Sequence, residues 1–343
     1  MKRRMPSLML GGIGVVLSLI ALAANLFTAG PAFERLTDNF RPEMKAAELS
    51  QLRQDVNGLA AVQSEFTNRA VPQLAAAVKM TPQQFSATLA QQYPAVATGL
   101  QSIPQVTQEF NGVLNTLEAE RARFEKADAI PTKSLPATTV PWAIAGAGIL
   151  CIGVAFFVPR RRGEVSAVVL GLLLVAGPLV LSLPGKADAA DTMNSHLKPV
   201  YTAELVAGAK QGLATMQAMG TELQGKMLPG LAQMLQMTPQ QVQAYLAANF
   251  PAVTASLAAM PAALARFDAM VSAFDASLDD YNTAKGTSLL PIAWMVIAAG
   301  VLVAGIGGYG LARGEAGAAA ARKERFPLRE RFAGAPGREG LSH

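Results

Sequence analysis

Four stretches of this chain, residues 7–29, 141–158, 165–183 and 289–311, contain no Asp, Glu, Lys or Arg. Each is long enough to cross a hydrocarbon layer as a helix rising ~1.5 Å per residue. Lipid offers no partner to an open backbone, so a spanning segment must satisfy its own amides, and a helix does so. Composition points the same way: 51% of the 343 residues are hydrophobic and 15% are charged, against about 25% charged in soluble domains. The Ala- and Gln-rich, aromatic-poor remainder favours helices over sheets. The expectation is an all-α membrane protein with four transmembrane helices.

Charge supplies an orientation. The net charge of +5 is confined to short flanks: Lys2, Arg3 and Arg4, then Arg160, Arg161 and Arg162, then the tail from Arg313. Residues 31–140 hold ten Lys and Arg against eleven Asp and Glu, which leaves no continuous basic face for nucleic acid. Bases that closely flank a span stay cytoplasmic, and all three flanks fall on one side of a four-span chain. Residues 1–6, the turn 159–164 and the tail 312–343 are then cytoplasmic. Residues 30–140 and 184–288 are extracytoplasmic, and Trp142 and Trp294 mark the outer interface. The tail, with Phe326 and Phe332 among its bases, could lie on an anionic leaflet or stay disordered. Span one is read as a retained helix, because its apolar run exceeds a signal peptide's and Pro31 follows the one plausible cleavage point.

The chain also repeats itself. Residues 71–117 align without gaps on 228–274, with seventeen of forty-seven positions identical. Met80-Thr81-Pro82-Gln83-Gln84 returns as Met237-Thr238-Pro239-Gln240-Gln241, and Pro72, Pro94 and Pro104 return as Pro229, Pro251 and Pro261. The unit is span, outward helical domain, span, present twice with the same orientation, so a pseudo-two-fold axis along the membrane normal is expected.

Within each outward domain, apolar residues recur at steps of three and four. Leu49, Leu52, Val56, Leu59 and Phe66 run out; Val106, Phe110, Val113, Leu117 and Phe124 return. The second copy repeats this with Leu205, Leu213, Met216 and Leu223, then Leu264, Phe267, Val271, Phe274, Leu278 and Tyr281. Such stripes predict two antiparallel helical hairpins with coiled-coil packing. The chain should kink at Gly30-Pro31. Thr81-Pro82-Gln83-Gln84 is a capping-box helix start, so each tip should hold a short helix ending before Pro94 and another ending near Pro104. No charge lies between Lys79 and Glu109 or between Lys226 and Arg266. The candidate interface residues are therefore Met80, Phe85, Leu89 and Tyr93, with Met237, Val242, Tyr245 and Phe250. Either the two tips pack on each other, or they meet an external partner or lipid.

Chemistry is sparse. One cysteine and two histidines exclude an intramolecular disulfide and a Cys- or His-cluster metal site within one chain. There is no GxSxG, P-loop, HExxH or dinucleotide fingerprint, so no enzyme, metal or cofactor is expected. His196 reads as a solitary side chain, and Asp275, Asp279 and Asp280 as a solvated helix face. The spans lack the ionisable groups of a coupled carrier. Small residues instead line one face of span two (Ala143, Ala147, Cys151, Ala155) and one of span four (Gly300, Ala304, Gly308), a pattern for close helix packing.

These features imply a non-enzymatic bacterial envelope protein, a scaffold or accessory subunit. Its expected partners are the bilayer, an envelope protein or a second copy of itself. Two other readings stay open. One is an extracytoplasmic sensor, which resembles chemoreceptor-type modules in plan alone, without shared motifs. The other is lipid or hydrophobe handling between the two helical domains.

Overall fold

The computed structural model describes residues 5–132, 134–157 and 161–325, with side chains described up to Arg313 and not at Arg161. Lys2, Arg3, Arg4, Arg160, Phe326 and Phe332 lie outside the described residues or their described side chains. Among the described residues every regular element is helical, and the chain divides into two compact units.

The first unit comprises the described residues within 1–30, 131–187 and 287–343. Its helices are α1 (Met5–Ala23), α7 (Thr139–Phe157), α8 (Arg161–Val180) and α14 (Leu289–Arg325). Over residues 7–23, 141–157, 165–180 and 289–311 these helices are apolar all round, and side chains such as Leu8, Leu19, Ile149, Leu172 and Leu302 are more than half exposed. An exposed apolar surface of this extent suits lipid, not water, so the protein is membrane-embedded. The interior faces are built on close backbone approach. A Cβ at Gly14 would lie 2.6 Å from the Gly148 carbonyl oxygen, and one at Gly171 would lie 2.6 Å from the Gly300 carbonyl oxygen. Thus α1 packs on α7 and α8 on α14, with Cys151 and Ala155 buried in the shared core. Ala143 is exposed, Ala147 is partly buried, and Gly148 takes the crossing point. On α14, Gly300 and Ala304 face α8, and Gly307, in contact with Val168, completes that face. A Cβ at Gly308 would meet nothing within 4 Å.

The expected kink at Gly30-Pro31 falls earlier. Asn25 has φ 53°, as does Ser182, and these left-handed residues end α1 and α8. The chain restarts as α2 (Leu26–Phe40), with Pro31 inside it, and α9 (Leu183–Leu197).

The second unit comprises residues 31–130 and 188–286. It contains α3 (Ala46–Glu65), α4 (Val71–Ala77), α5 (Pro82–Gln92) and α6 (Pro94–Ala127). The same run follows as α10 (Ala203–Glu222), α11 (Leu228–Met234), α12 (Pro239–Asn249) and α13 (Pro251–Ala284). Each boundary repeats at the sequence offset, Ala46 with Ala203 and Ala127 with Ala284. Helices α3, α6, α10 and α13 pack in a ring, each against the next, to form a four-helix bundle. Instead of stopping near Pro104, α6 continues through it as one 34-residue helix, as α13 does through Pro261. One lost amide bond is tolerated there because packing holds the rest of the helix.

Each outgoing helix widens into one π turn, Phe66–Ala70 and Leu223–Met227. The cause is two residues ahead of each turn's end. Pro72 and Pro229 have no amide for the carbonyl four residues back, and their rings would strike it. The chain bonds across five residues instead: the Val71 amide donates to the Phe66 carbonyl, and that of Leu228 to Leu223.

By length and apolar composition five helices could cross a membrane: α1, α7, α8, α14 and also α13. The last differs in its partners. Arg266 on α13 is paired with Asp55 on α3, and Asp280 with Arg35.

Candidate functional site

The bundle holds an apolar cavity of about 340 Å³ near its tip end. Its walls come from all four long helices: Leu59, Val62 and Phe66, then Leu100 and Ile103, then Met216 and Met219, then Val253, Met260 and Phe267. The π turns contribute Phe66 and Ala70 on one side, Leu223 and Met227 on the other. The π turns, each followed two residues later by a proline, thus supply part of the cavity wall.

Polar groups gather at one edge, where Gln54, Asp55 and Gly58 of α3 face Ser256 of α13. Asp55 is spanned by Arg266, whose Nε and Nη2 donate to the two carboxylate oxygens at 2.7 and 2.9 Å. The hydrogen bond to Asp55 raises the Arg266 pKa against the opposing effect of burial, with Asp55 and Glu48 charges adding to it. The edge thus carries a matched pair, not a net charge.

The repeat makes this cavity one-sided. On the opposite face, between α6 and α10, the residues corresponding to Val62 and Ser256 are Met219 and Gly99. Met219 lies across Gly99, where a Cβ would fall 2.5 Å from its Sδ. The counterpart of Asp55 is Gly212 and that of Arg266 is Glu109, so no ion pair can form there. A void of about 20 Å³ borders Gly212. The same backbone is closed by a long side chain over a glycine on one face and left open by Val62, Gly58 and Ser256 on the other.

The two copies are locked by exchanged carboxylates. Glu222, at the end of α10, accepts from the amides of Ala95 (2.7 Å) and Val96 (3.0 Å) at the start of α6. Glu65, at the end of α3, accepts from the Val253 amide (2.9 Å) at the start of α13. Each copy therefore supplies an anion to the other's helix N-terminus, where free amides and the helix dipole favour it. Burial works to raise the Glu222 pKa, but the Val96 and Ala95 amides and the Lys226 ammonium outweigh it and hold the pKa below the ordinary value.

Most of the eight tip residues belong to this core. Phe85, Leu89, Val242 and Phe250 are buried in it, and Tyr93, Met237 and Tyr245 pack against it partly buried. Tyr93 lies over Gly230 of the other copy. Met80 is 38% exposed. The capping boxes form at both tips, with Thr81 and Gln84 in one and Thr238 and Gln241 in the other.

Several groups have partners that spacing did not reveal. His196 Nδ1 lies 2.6 Å from Glu120 Oε1, which also accepts from Arg123. Glu120 is buried, and its Oε2 has no hydrogen-bond partner among the described residues. The corresponding pair in the other copy is uncharged: Asn39 donates to Ser277 at 3.0 Å. Asp275 pairs with Lys210, and Asp280 with Arg35. Among the described residues, no three His, Cys, Asp or Glu come together as a metal site.

The cavity was legible only in part. One of the open readings already set Met, Leu and Phe side chains along a groove between the two helical domains, but the one-residue differences that open the cavity show only when the copies are superposed. The chain matches no known family model, no characterised protein and no solved structure. Its site is therefore read from its own geometry.

Proposed function

We propose that this is a non-enzymatic, four-span protein of the bacterial cell membrane whose duplicated outward regions join in one bundle that holds an apolar ligand. The 340 Å³ cavity carries this reading. It lies within the range of small-molecule sites, about 300–1,000 Å³, and has their makeup of apolar walls with a few polar groups. The self-sealed face of the same bundle argues that the open one is not a packing defect, since the fold can close it. Buried helices normally leave few voids larger than a water molecule.

Four spans, not five, fit the charges. Residues 251–265 of α13 carry no charge, but Arg266, Asp268, Asp275, Asp279 and Asp280 follow. Its Arg266–Asp55 pair is made within the bundle, whereas α1, α7 and α14 offer lipid a continuous apolar surface. The three basic flanks support an orientation with both termini on the cytoplasmic side and the bundle outside.

The test uses full-length protein in lipid nanodiscs with a photoactivatable aliphatic probe and peptide mapping of the crosslinks. Labels should fall on α3 and α13 around Val62 and Met260. Val62→Met with Ser256→Gly, which copies the sealed face, should abolish them while the membrane helices remain labelled. Bundle labelling that survives this substitution would refute the pocket.

A second reading, a scaffold docking other envelope components through the tips, draws on Met80 and Met234, which are 38% and 42% exposed. Met80→Asp should then release a co-purifying protein, whereas ligand crosslinking would be untouched.

A further inference from the structure

Resting on the pocket reading, we infer that the bundle takes a single unbranched aliphatic chain bearing an uncharged polar end, a monoacylglycerol-like amphiphile, and that Met219 sets the chain length it accepts. Three observations carry this. The first is size: about 340 Å³ sits near the lower limit of ligand sites, which suits one chain and not a two-chain lipid.

The second is the polar edge. Asp55 and Arg266 already neutralise each other through two hydrogen bonds, and Asp55 is 10% exposed. A carboxylate or phosphate arriving there would lose its hydration and meet the Asp55 charge. An ammonium could pair with Asp55 only by displacing Arg266, which already donates to both carboxylate oxygens. Neither can be matched without breaking the existing pair, and an unmatched charge beside the largely buried Asp55 is costly. A hydroxyl or ester asks for less: it can donate to Asp55 and accept from the Gln54 amide or the Ser256 hydroxyl. The edge therefore selects against charge of either sign.

The third is the far wall. Met219 lines the cavity on the side away from Asp55's helix, with its thioether laid across Gly99. An unbranched, flexible side chain already fills the counterpart of the open channel, which shows the cross-section that the bundle accommodates. It also marks where an entering chain must stop. Removing its outer atoms extends the channel toward α6 and α10 without touching the polar edge.

The experiment uses full-length protein in nanodiscs and a series of monoacylglycerols with a terminal diazirine, compared with fatty acids and alkylammonium ions of equal chain length. Crosslink yield on bundle peptides should be about tenfold higher for the uncharged series. The optimum chain should lengthen by about two methylenes in Met219→Ala, the reach of the lost thioether. Met219→Leu, nearer in volume, should lengthen it less and guards against misfolding of the alanine variant. Equal yields for charged probes, or an optimum unmoved in both variants, would overturn the inference while leaving the pocket in place. Absence of bundle crosslinks with every amphiphile would instead overturn the pocket itself.

Discussion

Gly58 is the position where pocket and stability can be set against each other. It lies inside α3 at the polar edge of the cavity, and no glycine in the described chain has positive φ, so its backbone does not require glycine. A Cβ there would rest 3.7 Å from Ser256 Oγ, an ordinary contact. Gly58→Leu therefore removes a helix-interior glycine, a gain of about 1 kcal/mol. It also lays a leucine into the cavity, where partial burial adds about 1 kcal/mol more. At about 2–4 °C per kcal/mol for a unit of this size, the unfolding midpoint of the bundle should rise by roughly 4–8 °C. Thermal melts of the full-length protein in nanodiscs, followed by far-UV circular dichroism, would measure this. Crosslinking of the aliphatic probe should fall at the same time. Few surface glycine replacements stabilise a fold while destroying its ligand site, so the joint outcome is diagnostic. A midpoint that drops would mean that the space beside Gly58 is not open, and the reasoning would fail with it.

The closed face should respond in the opposite way: Gly99→Ala drives a methyl into Met219 and should cost about 1–3 kcal/mol, read as a lower midpoint in the same melts. The exchanged carboxylates predict an acid limit. The folded pKa of Glu222 is held down, so its contribution is present above the ordinary value near 4.3 and is lost as pH falls through the lower folded value. Glu222→Gln should flatten the decline of the melting midpoint in that acidic window, and an unchanged pH profile would count against the cap. In the membrane unit, Gly148→Val places side-chain atoms against the Gly14 carbonyl and should separate α1 from α7, lowering the temperature at which the protein aggregates in detergent. Finally, cysteines placed at the exposed Gln83 or Gln240 in a Cys151→Ser background should react with an impermeant maleimide on spheroplasts. Labelling that requires lysis would reverse the orientation.

Much of the local structure was readable from residue order. The all-helical class, the apolar helices, the capping boxes at Thr81 and Thr238 and the apolar stripes of α3, α6, α10 and α13 all follow from short-range rules: hydrophobic period, proline position and side-chain caps. Even the repeat is a statement about one dimension. Where the local rule was weak, it misled. Pro104 looked like a helix end and is an interior residue, and the break expected at Gly30-Pro31 lies at Asn25, because a left-handed residue ends a helix more effectively than a proline that packing can absorb.

What only the tertiary structure decided was which residues face one another. Phe85, Leu89, Val242 and Phe250 could be read either as the join between the two tips or as a surface for a partner, since an uncharged stretch reads the same whether its cover is another protein or the other half of the chain. Ring packing of the four long helices supplied that cover. It brought Glu222 to Ala95 and Glu65 to Val253, and it set Arg266 on Asp55, 211 positions away, at the edge of a cavity. The cavity itself arises from a volume difference between copies, Val62 where the other has Met219 and Ser256 where the other has Gly99. Periodicity records that such positions are inward; how much space they leave depends on side chains from all four helices, which meet only once the bundle has closed.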